Sequence, residues 1–160
     1  MKTSDRRIYH SLGEFLTDIR IIMSRWKEIR LLMRGKTIDS AFRERLMLAV
    51  TAVNKCRYCS YAHAREALAS GIPKEEVEAL VQGMFDGSPS EQLPALLYAQ
   101  HWAEANGKPE APVRDRVVSQ YGDHTVRMID LVLRMIRVGN LSGNTFDYLL
   151  NRISLGRLGS

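Results

Sequence analysis

The segment from Asp123 to Val138 is apolar around most of a helix's circumference. Val126, Met128, Ile129, Leu131, Val132, Leu133, Met135, Ile136 and Val138 leave Asp130, Arg134 and Arg137 as one narrow polar stripe. A helix of that kind has to be buried on most sides, by the chain's own core or by another subunit. The rest of the sequence is patterned to surround it. Residues 10–34 place Leu12, Phe15, Ile19, Ile22, Met23, Trp26, Ile29 and Leu32 or Met33 at spacings of three and four, an amphipathic helix stopped by Gly35. Asp39 or Ser40 can cap a following helix whose apolar positions are Phe42, Leu46, Ala49, Val50 and Val53.

The pattern continues without strand-like alternation. Gly71 suits the end of a helix, and Pro73 the first turn of the next, with Val77, Leu80, Val81 and Met84 facing inward. A turn at Gly87-Ser88-Pro89 precedes helices over Leu93–Ala105 and Val113–Tyr121. The expected fold class is all-α: a helical bundle of about seven or eight helices forming one domain over residues 1–160. The polar opening Met1-Lys2-Thr3-Ser4-Asp5-Arg6-Arg7 leads into no apolar signal region, and no apolar run reaches the roughly eighteen residues of a membrane span. A cytoplasmic protein with no membrane contact is expected. The net charge of +5 is spread among alternating acids and bases with no aromatic-studded basic stripe, which argues against nucleic acid as a partner.

Both cysteines fall in one stretch, Asn54-Lys55-Cys56-Arg57-Tyr58-Cys59-Ser60-Tyr61-Ala62-His63, with the spacing C-x2-C-x3-H. In helical geometry Cys56, Cys59 and His63 lie within roughly 60° of one another. Cα atoms three apart on a helix are about 5 Å from each other, inside the roughly 4.4–6.8 Å range of disulfides, so the two thiols can close a bond. His63, four residues after Cys59, can reach back and take its proton, while Arg57 and Lys55 add positive potential. Glu44, twelve residues before Cys56, is placed to orient that histidine from an antiparallel helix. Tyr58 and Tyr61 are candidates for the walls of a pocket. A structural zinc held by Cys56, Cys59, His63 and Glu44 is a rival reading of the same donors.

Together, Glu44, Cys56, Cys59 and His63 reproduce the E-x11-C-x2-C-x3-H pattern of the alkylhydroperoxidase D-like and carboxymuconolactone decarboxylase superfamily, which the chain resembles over roughly residues 36–105. The flanks Phe42–Val50 and Ala69–Val77 are similar as well. Tyr58 departs from the pattern, standing where characterised alkylhydroperoxidase D proteins carry histidine. The resemblance implies the redox branch: Cys59 attacks a peroxide or a disulfide, Cys56 resolves the intermediate, and His63 with Glu44 handles the proton. It further implies a lipoyl-type or thioredoxin-type external dithiol as reductant, no cofactor or metal beyond the Cys56–Cys59 disulfide, and a homo-oligomer such as a trimer or hexamer. Two alternatives stand beside it: a non-catalytic oligomer that binds metal or a partner, and a decarboxylase-like enzyme in which both cysteines are dispensable.

Overall fold

A computed structural model of the protein describes residues 6–154, and most of the polar opening stretch lies outside them. Among the described residues there are eight helices and no strand: α1 (Leu12–Ser24), α2 (Trp26–Met33), α3 (Ser40–Asn54), α4 (Arg57–Ala69), α5 (Lys74–Val81), α6 (Leu93–Glu104), α7 (Ala111–Tyr121) and α8 (Asp123–Ile153). The all-α expectation is met. No helix among the described residues is long and apolar enough to cross a membrane.

Two helices hold the centre. α3 begins where the Asp39 carboxylate accepts the Phe42 N–H at 2.8 Å, and from Glu44 to Thr51 every residue is buried. The sequence pattern suggested a one-sided α3, but α4, α5, α6 and α8 pack around it and cover its remaining faces. α8 touches α1, α2, α3, α4, α6 and α7. Its Val126, Ile129, Val132, Leu133 and Ile136 join the same core, so the burial assigned in part to another subunit is supplied by the chain itself. α8 also continues past Val138 to Ile153. Gly139 and Gly143 weaken a helix by about 1 kcal/mol each, yet Asn140, Leu141, Asn144 and Asp147 remain buried along its inner face and carry it on.

The first amphipathic stretch is two helices rather than one. At Arg25 (φ −109°, ψ 22°) the backbone N–H turns to Ile22 O at 3.1 Å. Side chains compete with the helical ladder there: Ser24 Oγ donates to Ile21 O at 2.8 Å, and Arg25 is held by Glu28 (Nε, 2.9 Å) and by Arg127 O of α8 at 3.3 Å. On α1, the buried Asp18 accepts from Tyr9 Oη (2.9 Å), from Arg137 Nε (2.9 Å) and from Arg134, which fastens α1 to α8.

A second buried ion pair fixes α5. Glu76, in the first turn of α5, is turned inward and receives Arg45 through Nε at 2.6 Å and Nη2 at 3.0 Å, with Ser88 Oγ at 2.9 Å. Burial alone would raise the Glu76 carboxyl, but Arg45 and Ser88 outweigh it and hold it below the ordinary carboxylate range. A depressed folded-state value contributes stability above the unfolded value, and that stability disappears as pH falls through the folded one. Glu76→Gln, which leaves Arg45 without its counter-charge, is expected to lower stability by about 3 kcal/mol at neutral pH. The gap to wild type should narrow on acidification, as read by denaturant midpoints at both ends of that range.

Candidate active site

The site is built at the join between α3 and α4. α3 stops because Lys55 takes a left-handed conformation (φ 56°, ψ 41°), a conformation that costs a residue with a Cβ about 1 kcal/mol or more. That reversal is held from outside. Asn54 O accepts from Asn144 Nδ2 at 2.8 Å and from the Arg7 N–H at 3.3 Å, Asn54 Nδ2 donates to Asn140 Oδ1 at 3.2 Å, and Asn140 Nδ2 donates to Thr51 Oγ1 at 3.2 Å. Asn140 and Asn144 of α8 therefore position the turn that delivers the cysteines.

Cys56 sits at the cap of α4 and not inside a helix, a correction to the sequence reading. Its Sγ accepts the Cys59 N–H at 3.4 Å, and the helix begins at Arg57. The cause is the Lys55 reversal, which leaves the next residue extended (φ −83°, ψ 104°). The i, i+3 closeness survives: Cys56 and Cys59 are disulfide-bonded with Cα atoms 5.4 Å apart. The two sulfurs differ in access. Cys56 is 1% exposed, whereas Cys59 is only partly buried. α8 also runs close behind Cys56: a Cβ added at Gly143 would stand 3.4 Å from its Sγ.

Glu44 and His63 meet. Glu44, 4% exposed in the middle of α3, places Oε2 at 2.7 Å from His63 Nδ1, and Arg43 Nε lies 3.5 Å from its other oxygen. Arg45, the next residue, is paired instead with Glu76. With Nδ1–H donating to the carboxylate, the neutral imidazole keeps its lone pair on Nε2, which is the form a proton acceptor needs.

Cys59 and His63 open onto a groove of about 440 Å³, whose walls include Met47 of α3, Tyr58 of α4, and Met135 and Gly139 of α8. Tyr58 is among the residues that line it. Tyr61 is not: it lies about 200° around α4 from Cys59, is 69% exposed, and carries the Arg65 guanidinium 6.0 Å from its ring centre. Among the described residues no three His, Cys, Asp or Glu side chains are grouped to hold a metal ion; the sulfurs are bonded to each other and Glu44 to His63. Met135 was read only as part of the apolar arc of 123–138, and Gly139 and the asparagines behind the turn were not singled out in the sequence. The available signal was Asn140 and Asn144, two amides one turn apart continuing an otherwise apolar helix.

Residues 22–105, just over half of the chain, match the carboxymuconolactone decarboxylase family, and the protein belongs to that family. The match begins upstream of the resemblance read at 36–105 and contains Glu44, both cysteines and His63. The family takes in the alkylhydroperoxidase D-like proteins, and the Cys56–Cys59 disulfide is the feature of their redox-active members. No curated protein and no solved structure matches the chain.

The unequal access of the sulfurs sets an order of reactivity. In the reduced protein, Cys59 is expected to alkylate faster than Cys56 with iodoacetamide at neutral pH, by tenfold or so, and His63→Ala should slow Cys59 selectively. Rates on Cys56→Ser and Cys59→Ser single variants across pH check this; faster labelling of Cys56 would reverse the roles.

Proposed function

We propose that this protein is a thiol-dependent peroxidase or disulfide oxidoreductase that cycles Cys56 and Cys59 between dithiol and disulfide. The observation that carries this reading is the placement of the chain's two cysteines, bonded to each other, beside the buried Glu44 and its half-buried partner His63 at the edge of an apolar groove. Starting from the dithiol, His63 Nε2 takes the Cys59 proton. The thiolate attacks the terminal peroxide oxygen of ROOH, an S–O bond forms, the O–O bond breaks, and the alkoxide leaves as ROH with a proton from His63. Cys59 is now a sulfenic acid. Cys56 attacks its sulfur, the disulfide closes and water leaves. An external dithiol, of lipoyl or thioredoxin type, returns two electrons and two protons by exchange through a mixed disulfide. With a disulfide as substrate the first step is thiol exchange at the same sulfur.

The groove's character supports an apolar substituent on the substrate, since Met47, Met135 and Tyr58 provide its contact surface. A dithiol that must be reduced between turnovers fits the cytoplasm, where thiols are kept reduced. We further propose that residues 1–160 act as one domain and assemble as a homo-oligomer. The support for assembly is no longer the 123–138 segment but the exposed Leu12, Leu16, Met23 and Trp26 of α1 and α2 together with Phe146 and Leu149 of α8. Mass-resolved light scattering should return a multiple of 18.2 kDa, and a monomer at micromolar concentration would remove that part of the reading.

The test of the function is turnover of an organic hydroperoxide with a dithiol reductant. Wild type should be active, Cys59→Ser and Cys56→Ser inactive, His63→Ala slower by about 10²–10⁴, and Glu44→Gln reduced less. Hydroperoxide turnover that survives loss of either cysteine would reject the dithiol mechanism, as would decarboxylation of an organic acid at equal rates in both serine variants.

A further inference from the structure

A second cavity lies against the other side of α8. At about 100° per residue, Asp130, Leu131 and Arg134 are centred roughly 140° around the helix from Met135, Ile136 and Gly139. The former line this cavity and the latter the dithiol groove, and no residue lines both. The cavity encloses about 300 Å³, and its walls include Arg25 from the break between α1 and α2, Arg114 of α7, Arg134 and Asp130 of α8, and Tyr98 and Trp102 of α6. Three guanidinium groups from three separate elements thus line one cavity, each with a carboxylate partner of its own: Glu28 for Arg25, Asp130 and Asp123 for Arg114, and Asp18 for Arg134.

The groups are held in place before any ligand arrives. Asp130 accepts from Tyr98 Oη at 2.6 Å and from Arg114 Nε at 3.2 Å. Burial first, and then the Asp130 carboxylate, push the Tyr98 phenol well above its usual range, so it stays protonated and remains a donor. Arg25 is clamped by Glu28 and Arg127 O, and Arg134 is tied to Asp18 while its guanidinium lies 5.4 Å from the Trp102 ring centre. Each clamp uses part of a guanidinium that has five N–H donors. Among the described residues, Nη1 of Arg25 and of Arg114, and Nε and Nη2 of Arg134, make no hydrogen bond to protein. The floor is closed by Gly107 (φ 78°), where a Cβ would come within 3.2 Å of the Trp102 ring.

We propose that this cavity binds a compact dianion, the shared chemistry being a phosphate monoester or a pair of carboxylates, at a site separate from the dithiol centre. Guanidinium forks match such oxyanions in shape and charge. The volume equals that of about ten waters at roughly 30 Å³ each, which limits the ligand to metabolite size. Glu28 pairs with Arg25, Asp130 and Asp123 with Arg114, and Asp18 with Arg134, so the cavity's pull on an anion rests on the guanidinium N–H groups left without a protein acceptor, reinforced by Arg137, which shares Asp18 with Arg134.

The experiment is calorimetric titration of the full chain, at constant ionic strength, with inorganic phosphate, phenyl phosphate and succinate, chloride serving as the control anion. A Trp26→Phe variant leaves Trp102 as the sole tryptophan and gives an optical readout at the cavity itself. At least one of the three anions should bind saturably with a dissociation constant below about 1 mM, and should change Trp102 emission with the same midpoint. A response to the two phosphates identifies a phosphoryl ligand, and a response to succinate a dicarboxylate; either supports the site. Arg25→Gln and Arg114→Gln, each checked for an unchanged circular dichroism spectrum, should weaken binding about tenfold or more, while Lys74→Gln on α5 should not. The proposal is overturned if no anion exceeds chloride, or if both arginine variants bind as tightly as wild type.

Discussion

A carboxylate in the middle of a helix that is covered on all sides is tolerable only with a partner, because an unpaired buried charge costs several kcal/mol. α3 carries two such demands in consecutive residues. Glu44 is answered by His63 of α4 and Arg45 by Glu76 of α5, so the two helices that follow α3 are each fixed by one charged pair. Successive residues on a helix point about 100° apart, and that angle separates the directions in which α4 and α5 are anchored. The interaction that keeps α4 in register is therefore the one that sets the tautomer of its histidine. One hydrogen bond thus both ties α4 to α3 and orients the imidazole.

The turn between α3 and α4 depends on α8 in a comparable way. A lysine in the left-handed region does not hold itself there, and Asn140 and Asn144 supply the amides that fix Asn54 just before it. α8 passes Cys56 at Gly143, where even a Cβ would sit in van der Waals contact with the sulfur at 3.4 Å, and Gly139, one turn earlier, lines the groove beside Cys59. α8 is thus core helix, backstop for the buried sulfur and wall of the groove within three consecutive turns.

Much of this could be read from residue order, because the features concerned are local. Cys56, Cys59 and His63 share a face by helical arithmetic, Gly71 ends α4 with a positive φ, and Asp39 caps α3. Glu44 was singled out as a partner for His63 through its offset from Cys56 together with the family resemblance that this offset completes. What escaped were consequences of three-dimensional neighbours: a helix break at Arg25 drawn by Glu28 and a carbonyl of α8, the inward turn of Glu76, and the cap position of Cys56, which follows from a backbone reversal at a lysine that no propensity favours. The apolar arc of 123–138 announced burial correctly but not by what, since periodicity records how much of a helix is dry and not which surface dries it.

The length of α8 adds one more consequence. Its 31 residues span about 46 Å at roughly 1.5 Å per residue, while a globule of this chain's size, with a radius of gyration of about 15 Å, is only about 40 Å across. Burial along the inner face of α8 stops at Asp147, and Tyr148, Leu149 and Ile153 stand exposed beyond it. The tip of α8 is a spar whose apolar surface lies beyond the reach of the core built by the other described helices.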